Sequence, residues 1–272
     1  MYMSWETASQ IIFNITMKFS FREIIFKLWY WYVSKIDKNA EILFMNYGYS
    51  NGNQKISIDK QDELNRYHIQ LYHHLVSTTN IKNKDIVEIG CGRGGGLFYI
   101  TKNFSPASAK GIELNKQAVA FCNCHYSLND LIFLHGDAQN LNLKNNSCDV
   151  VINVESSHRY PDIKAFLEEV SRILRPNGYF LFTDFRYDYE MEGMRKELEL
   201  SGMSVLKERF INKEVVAALK LDDQRKLILV KKLIPRFLYK IALNFAGTIG
   251  SETYNRFVSH KYIYFSYVLK KL

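Results

Sequence analysis

From Asp85 onward the chain alternates short apolar runs with stretches of helical spacing. Ile86-Val87-Glu88-Ile89 predicts a buried strand running into a glycine-rich turn, with a helix from Leu97 to Asn103 after it. Ala109–Glu113 and Leu131–Leu134 predict the second and third strands, with a helix over Lys116–Leu128 between them. Asp149–Ile152 predicts a fourth strand, Ile163–Leu174 a helix, and Tyr179–Thr183 a fifth strand. Alternation of this kind implies an α/β fold, a parallel sheet with helices on both faces. Such sheets bind ligands at the carboxyl ends of their strands, near the point where strand order reverses. Met203–Phe210 reads as a sixth strand, followed by a long helical region from Asn212 to about Phe245 and a last strand over Tyr262–Leu269.

Composition narrows the class. The chain has 272 residues, 47 % of them apolar and 24 % charged, which excludes a disordered or low-complexity chain. Cys91, Cys122, Cys124 and Cys148 are too few for a disulfide framework at this length and point to a reducing, cytoplasmic compartment. Cys122 and Cys124 flank Asn123 beside His125. They read as small apolar residues on a helix rather than a metal site, since no second ligand pair follows at zinc-like spacing. No run of ~18 uncharged apolar residues suits a spanning helix. No signal peptide is expected either. Phe19–Val33 is greasy but interrupted by Arg22, Glu23 and Lys27; it reads as a packed helix, or as one lying over a substrate mouth or membrane surface.

The chemistry concentrates at strand ends. Val87-Glu88-Ile89-Gly90-Cys91-Gly92-Arg93-Gly94-Gly95-Gly96 turns from strand to helix, and Gly90, Gly92 and Gly95 also satisfy the dinucleotide spacing G-x-G-x-x-G. Glu88 separates the readings, because a carboxylate beside the loop disfavours a pyrophosphate and favours an ammonium. Glu113 ends the second strand, where an acid accepts ribose hydroxyls. Asp137-Ala138 follows the third, where an acid accepts an exocyclic amine. Each acid alone could be a helix cap or a solvated charge. In register at three successive strand ends, they describe an amino-acid end, a ribose and an adenine without phosphate, which is S-adenosylmethionine.

On these residues Glu88–Phe185 resembles the class I S-adenosylmethionine-dependent methyltransferases, with Leu174-Arg175-Pro176-Asn177-Gly178-Tyr179 matching the turn before the fifth strand. The resemblance implies a Rossmann-like sheet of seven mostly parallel strands. It also implies an N-terminal helical extension over 1–80, a core over 81–211, a helical lid over 212–259, and the final core strand in 260–272. It implies cofactor contacts from Tyr47, Glu88, Gly90, Cys91, Gly92, Gly94, Glu113, Leu114, Asp137, Ala138 and Asn153. Three further segments, Phe44–Tyr49, Asn153–Tyr160 and Ala246–Ser251, are similar to the phthiotriol/phenolphthiotriol dimycocerosate methyltransferase group, which O-methylates hydroxyls on lipid and polyketide-like molecules. Sterol and tocopherol C-methyltransferases share the early Gly-aromatic motif, and C-methylation of an isoprenoid is the alternative.

Methyl transfer to a hydroxyl needs alignment, exclusion of water and a base near neutrality. His158, just past the fourth strand, is the expected base, or else it caps the Pro161-Asp162 turn. Glu155 is expected at the methionine end or the acceptor, and Tyr49 with Tyr47 over the methyl-donor pocket. Arg186 and Tyr187 are weaker candidates for lining the site. The segment Asn153-Val154-Glu155-Ser156 lacks the Pro-Pro run of enzymes that methylate nucleic-acid amines, so no nucleic-acid partner is expected. No oxygen-ligand cluster suggests a metal, and His68, His73 and His74 read as helix packing residues. An NAD(P) oxidoreductase and a catalytically silent cofactor-binding module are the rival classes, and Glu88 with Asp137-Ala138 argues against the oxidoreductase.

Charge changes the picture last. The net charge is +8. Val205–Leu272 carries 14 Lys and Arg against 5 Asp and Glu, so the basic excess sits in the tail. Between Gln224 and Gly250 six cations and no acid are interleaved with Leu, Ile, Val and Phe. That is the composition of a basic amphipathic helix suited to an anionic membrane, on the inner face if cytoplasmic, or of a solvated lid helix.

Overall fold

A computed structural model describes residues 37, 40–52 and 56–272. The helix expected over Phe19–Val33 lies outside the described residues. Ile42–Leu272 form one compact unit, and Met1–Glu41 a separate one.

After a 3-10 turn at Lys60–Asn65 the elements are α1 (Arg66–Val76), β1 (Asp85–Ile89), α2 (Gly95–Phe104), β2 (Ser108–Glu113), α3 (Lys116–His125), β3 (Leu131–His135) and β4 (Cys148–Val154). Then come α4 (Ile163–Ile173), β5 (Leu174–Tyr187), α5 (Met191–Leu200), β6 (Met203–Phe210), α6 (Asn212–Leu233), α7 (Tyr239–Ala246), α8 (Glu252–Val258) and β7 (Tyr262–Lys271). The sheet has seven strands in the order β3-β2-β1-β4-β5-β7-β6. The first five pair in parallel, and β7 runs antiparallel to both β5 and β6. β1 and β4 are neighbours whose connections leave in opposite directions, which opens a crevice at their carboxyl ends.

Strand interiors are apolar on both faces because helices cover both. Ile86, Leu97, Ile100, Val150 and Ile152 pack in one layer, and Val87, Ile89, Val151, Phe166 and Val170 in the other. Local chemistry sets the helix starts: Asn115 accepts from the Gln117 and Ala118 amides, and Asp162 from the Ala165 amide. The Pro161-Asp162 turn is therefore capped by Asp162 rather than by His158.

Three expectations change. The region Asn212–Phe245 is two helices, because Pro235 lacks an N–H and drives Ile234 to extended backbone at φ −111°, ψ 135°. The helix from Lys116 stops at His125, with Tyr126 extended. An additional helix, α5, follows β5. No helix among the described residues is long and apolar enough to cross a membrane.

Candidate active site

The glycine loop begins where β1 ends. Gly90 has φ +73°, and a Cβ there would lie 1.9 Å from Ser156 Oγ, so only glycine lets the loop pass the segment after β4. At Gly96 a Cβ would meet the Tyr72 ring at 1.9 Å; its absence lets α1 press against α2.

That approach carries the Tyr72 hydroxyl to Glu88, where it donates at 2.8 Å. Glu88 is fully buried, and burial pushes its carboxyl up to about 7 against the pull of Tyr72 and the Leu97 amide. Its Oε2 is buried and forms no hydrogen bond. Glu113 accepts from the Gly92 amide at 3.0 Å and the Asn115 amide at 2.9 Å, fixing the loop to the end of β2. Burial raises its carboxyl also. Asp137, beyond β3, accepts from the backbone and side chain of Gln139. Leu114 is 55 % exposed between these acids, a free apolar surface at the strand ends, whereas Ala138 is buried.

The loop after β4 builds the other half. Glu155 sits at φ +46°, a left-handed conformation that turns its carboxyl inward. There it accepts from the Tyr47 amide at 2.7 Å and from the Tyr264 hydroxyl. Burial pushes it up to about 8, against those two donors. His158 Nδ1 lies 2.8 Å from Asp184 Oδ1, and the His158 amide donates to Oδ2 at 3.0 Å. Burial alone would raise Asp184. His158, Arg186 at 3.2 Å and the Ser157 hydroxyl at 2.7 Å outweigh it and hold the carboxyl well below its usual range. Burial lowers His158 to about 4 despite the carboxylate, so the imidazole is neutral near pH 7. With Nδ1 protonated toward Asp184, Nε2 is the acceptor nitrogen, and the Arg159 Nε donates to it at 3.1 Å. Phe185 lies 4.4 Å from the His158 ring, and Tyr47 sits between Phe185 and Phe257 at 5.7 and 5.1 Å. Gly247 allows this last fit, since a Cβ would come 3.2 Å from the Tyr47 ring.

Glu88, Gly90, Cys91, Gly92, Gly94, Glu113, Leu114, Asp137 and Ala138 thus share the ends of β1–β3. Tyr47, Glu155 and His158 gather after β4. Asn153 is buried beneath the loop: its amide donates to the Ile89 carbonyl at 2.8 Å and the Tyr160 hydroxyl at 3.2 Å, and only Oδ1 is left without a partner. Tyr49 does not join either group. Its ring stacks on His74 at 4.2 Å, and its charged neighbours are Glu214 and Arg209. Arg186 pairs with Asp184, and the Tyr187 hydroxyl accepts from Arg256 at 2.7 Å. His68 is buried against Asn46 and Asp222, a packing role. Cys122 is buried while Cys124 is exposed, so the two do not converge.

Tyr72, Asp184, Tyr264 and Lys226 were not found by sequence reading. Lys226 is buried on α6, its Nζ 6.0 Å from the Tyr47 ring centroid and 4.0 Å from Asp222, with no hydrogen bond. Burial lowers it to about 8.

A family model described as "Methyltransferase domain" matches residues 87–182, from β1 into β5. The fatty-acid O-methyltransferase of Mycolicibacterium smegmatis is 39 % identical over 213 residues, which is 78 % of each chain. The chain belongs to this methyltransferase family. The phthiotriol/phenolphthiotriol dimycocerosates methyltransferase of Mycobacterium tuberculosis is 36 % identical over 229 residues, covering 84 % of this methyltransferase and 85 % of the relative. A solved structure, a putative sarcosine dimethylglycine methyltransferase from Galdieria sulphuraria, shares the fold. Its TM-score is 0.67 at 14 % identity, over 84 % of this chain and 92 % of the other. The cofactor of the methyltransferase is S-adenosylmethionine. The residues at the strand ends fit it: the buried Oε2 of Glu88 forms no hydrogen bond and can accept from an ammonium.

Proposed function

We propose that this methyltransferase transfers a methyl group to an oxygen of a hydrophobic lipid-like or polyketide-like molecule, a hydroxyl in the first instance. The observation that carries the reading is the His158–Asp184 pair set into an aromatic wall beside Glu155. When bound, S-adenosylmethionine supplies a methyl already activated on a sulfonium cation. Glu88 would take its ammonium, Glu113 its ribose hydroxyls, and Asp137 with Ala138 and Leu114 its adenine. Tyr47, Phe185, Phe257 and Tyr264 would keep water from the acceptor oxygen and hold it in line with the methyl. The buried sides of α6 and α8 would act as the lid, since Lys226 and Phe257 reach Tyr47 from them. His158 would accept the hydroxyl proton at Nε2 once the Arg159 side chain turns aside, and Asp184 would steady the resulting imidazolium.

One observation favours a second reading. Nε2 already accepts from Arg159, and a carboxylate acceptor brings its own negative charge and needs no base. The relative named for fatty acids fits that chemistry. The test is methylation of a long-chain alcohol and the matched fatty acid by the wild-type and His158→Gln proteins. Turnover of the alcohol that is lost in His158→Gln supports the first reading. Turnover of the acid alone, unchanged in His158→Gln, replaces it with the second.

A further inference from the structure

The buried face of α6 holds Leu219, Asp222, Lys226 and Val230. Its opposite face is open: Leu221 is 58 % and Ile228 65 % exposed, with Lys231 and Lys232 exposed at its end. These four recur at helical spacing, so they form one stripe. Beyond Pro235 the exposed apolar residues go on: Phe237, in the 3-10 turn Arg236–Leu238, is 82 % and Ile241, on α7, 51 % exposed, flanked by exposed Arg236 and Lys240. Of the acids of this helix, Glu214 stands in its first turn, away from the stripe, and Asp222 and Asp223 are turned inward and engaged by Arg225 and the Ile249 amide. The outward face from Gln224 to Gly250 therefore presents bulky apolar groups and cations with no acid.

We propose that this α6–α7 face docks on an anionic lipid bilayer, and that the acceptor reaches the site from that bilayer. The second clause rests on the lipid-acceptor reading above; the first does not. Phe237 at the turn would enter the headgroup boundary, with Ile228 and Ile241 beside it, while the four cations meet anionic headgroups. At 22 residues with acids and lysines along it, α6 lies on a membrane rather than crossing it. The same helix carries Lys226 to 6.0 Å from the Tyr47 ring, so one element joins the lipid surface to the acceptor side of the site.

The full-length protein is floated with vesicles of phosphatidylcholine alone and of equimolar phosphatidylcholine and phosphatidylglycerol, at low and high salt. Wild type floats with the anionic vesicles, stays behind with the neutral ones, and is released as salt rises. Phe237→Asp with Ile241→Asp, and separately Lys231→Glu with Lys232→Glu and Arg236→Glu, each lower vesicle affinity about tenfold or more. Both variants keep S-adenosylhomocysteine binding by calorimetry and turnover of a detergent-dispersed acceptor. Wild type that ignores anionic vesicles, or variants that float like wild type, overturns the proposal. So does a Phe237→Asp protein that changes only from dimer to monomer, which would assign the face to a second copy. Anionic vesicle binding without methylation of any lipid leaves the docking intact and removes the lipid-acceptor reading.

Discussion

Asp184 Oδ1 lies 2.8 Å from His158 Nδ1, and this contact decides which imidazole nitrogen is left for chemistry. A buried carboxylate facing Nδ1 holds the proton there and leaves Nε2 as the acceptor. Asp184→Asn can present its amide to Nδ1 and reverse the tautomer. With an alcohol acceptor, its kcat should fall by about a hundredfold or more, the scale of a lost general base. S-adenosylhomocysteine affinity, read by calorimetry, should stay near wild type, since the pair is not at the strand ends that hold the cofactor. Unchanged kcat in a folded Asp184→Asn protein contradicts the role.

Cofactor affinity should depend on pH through Glu88. Burial puts its carboxyl at about 7, and an ammonium needs it ionised. Binding measured by calorimetry should therefore weaken by about tenfold per pH unit on the acid side of that value and level off on the alkaline side. Tyr72→Phe removes the hydroxyl that lowers Glu88 and should move this midpoint to higher pH. Glu88→Gln should abolish the dependence.

Stability of the cofactor-free protein should fall as pH rises from about 6.5 to about 8. Glu88 and Glu155 sit at about 7 and about 8 when folded, against an ordinary 4.5. Below about 6.5, His68, His74 and His158, held by burial at about 4, work the other way, because the unfolded chain binds their protons and the folded one does not. Above it the two carboxyls leave the folded chain with more protons, so raising pH favours unfolding until both have titrated. Thermal melts across this range should show a falling Tm. Glu155→Gln, which keeps an acceptor for Tyr47 and Tyr264, should flatten the part contributed by Glu155.

Gly90→Ala should destabilise the fold by about 1–3 kcal/mol from backbone strain alone. The added Cβ also meets Ser156 Oγ at 1.9 Å. A double variant Gly90→Ala with Ser156→Gly should recover only the part due to Ser156, because the Tyr160 hydroxyl stays 2.7 Å from the added Cβ and φ +73° remains unfavourable for Ala. Chemical denaturation of the three proteins separates the Ser156 clash from the remainder.

The parts legible in the sequence were those written in contiguous residues. β1 and its loop are an apolar run with glycines at fixed spacing, and both faces of the parallel strands are buried, so their runs are plain. The helix α5 escaped because Met191, Met194 and Leu198 are its only buried positions among charged neighbours and Gly193. The break at Pro235 was masked by the apolar and cationic residues on both sides of it. Site partners were harder still: Tyr72 meets Glu88 from 16 residues away and Tyr264 meets Glu155 from 109. Such pairs exist only once α1 and β7 have packed. Asp184 lies within an apolar strand run, where a lone acid carried no spacing signal. Tyr49 was misplaced because one residue beyond Gly48 the chain turns toward α1, with its amide on the Tyr67 carbonyl.

The central claim is methyl transfer from S-adenosylmethionine to an oxygen of a lipid. Purified protein should be incubated with methyl-labelled cofactor and a panel of long-chain alcohols, hydroxylated lipids and fatty acids, and the products identified by mass spectrometry. The account predicts labelled methyl on oxygen, as an ether or an ester, in wild type, and none in Glu88→Ala. Label on carbon, or cofactor binding with no label on any lipid, would contradict it.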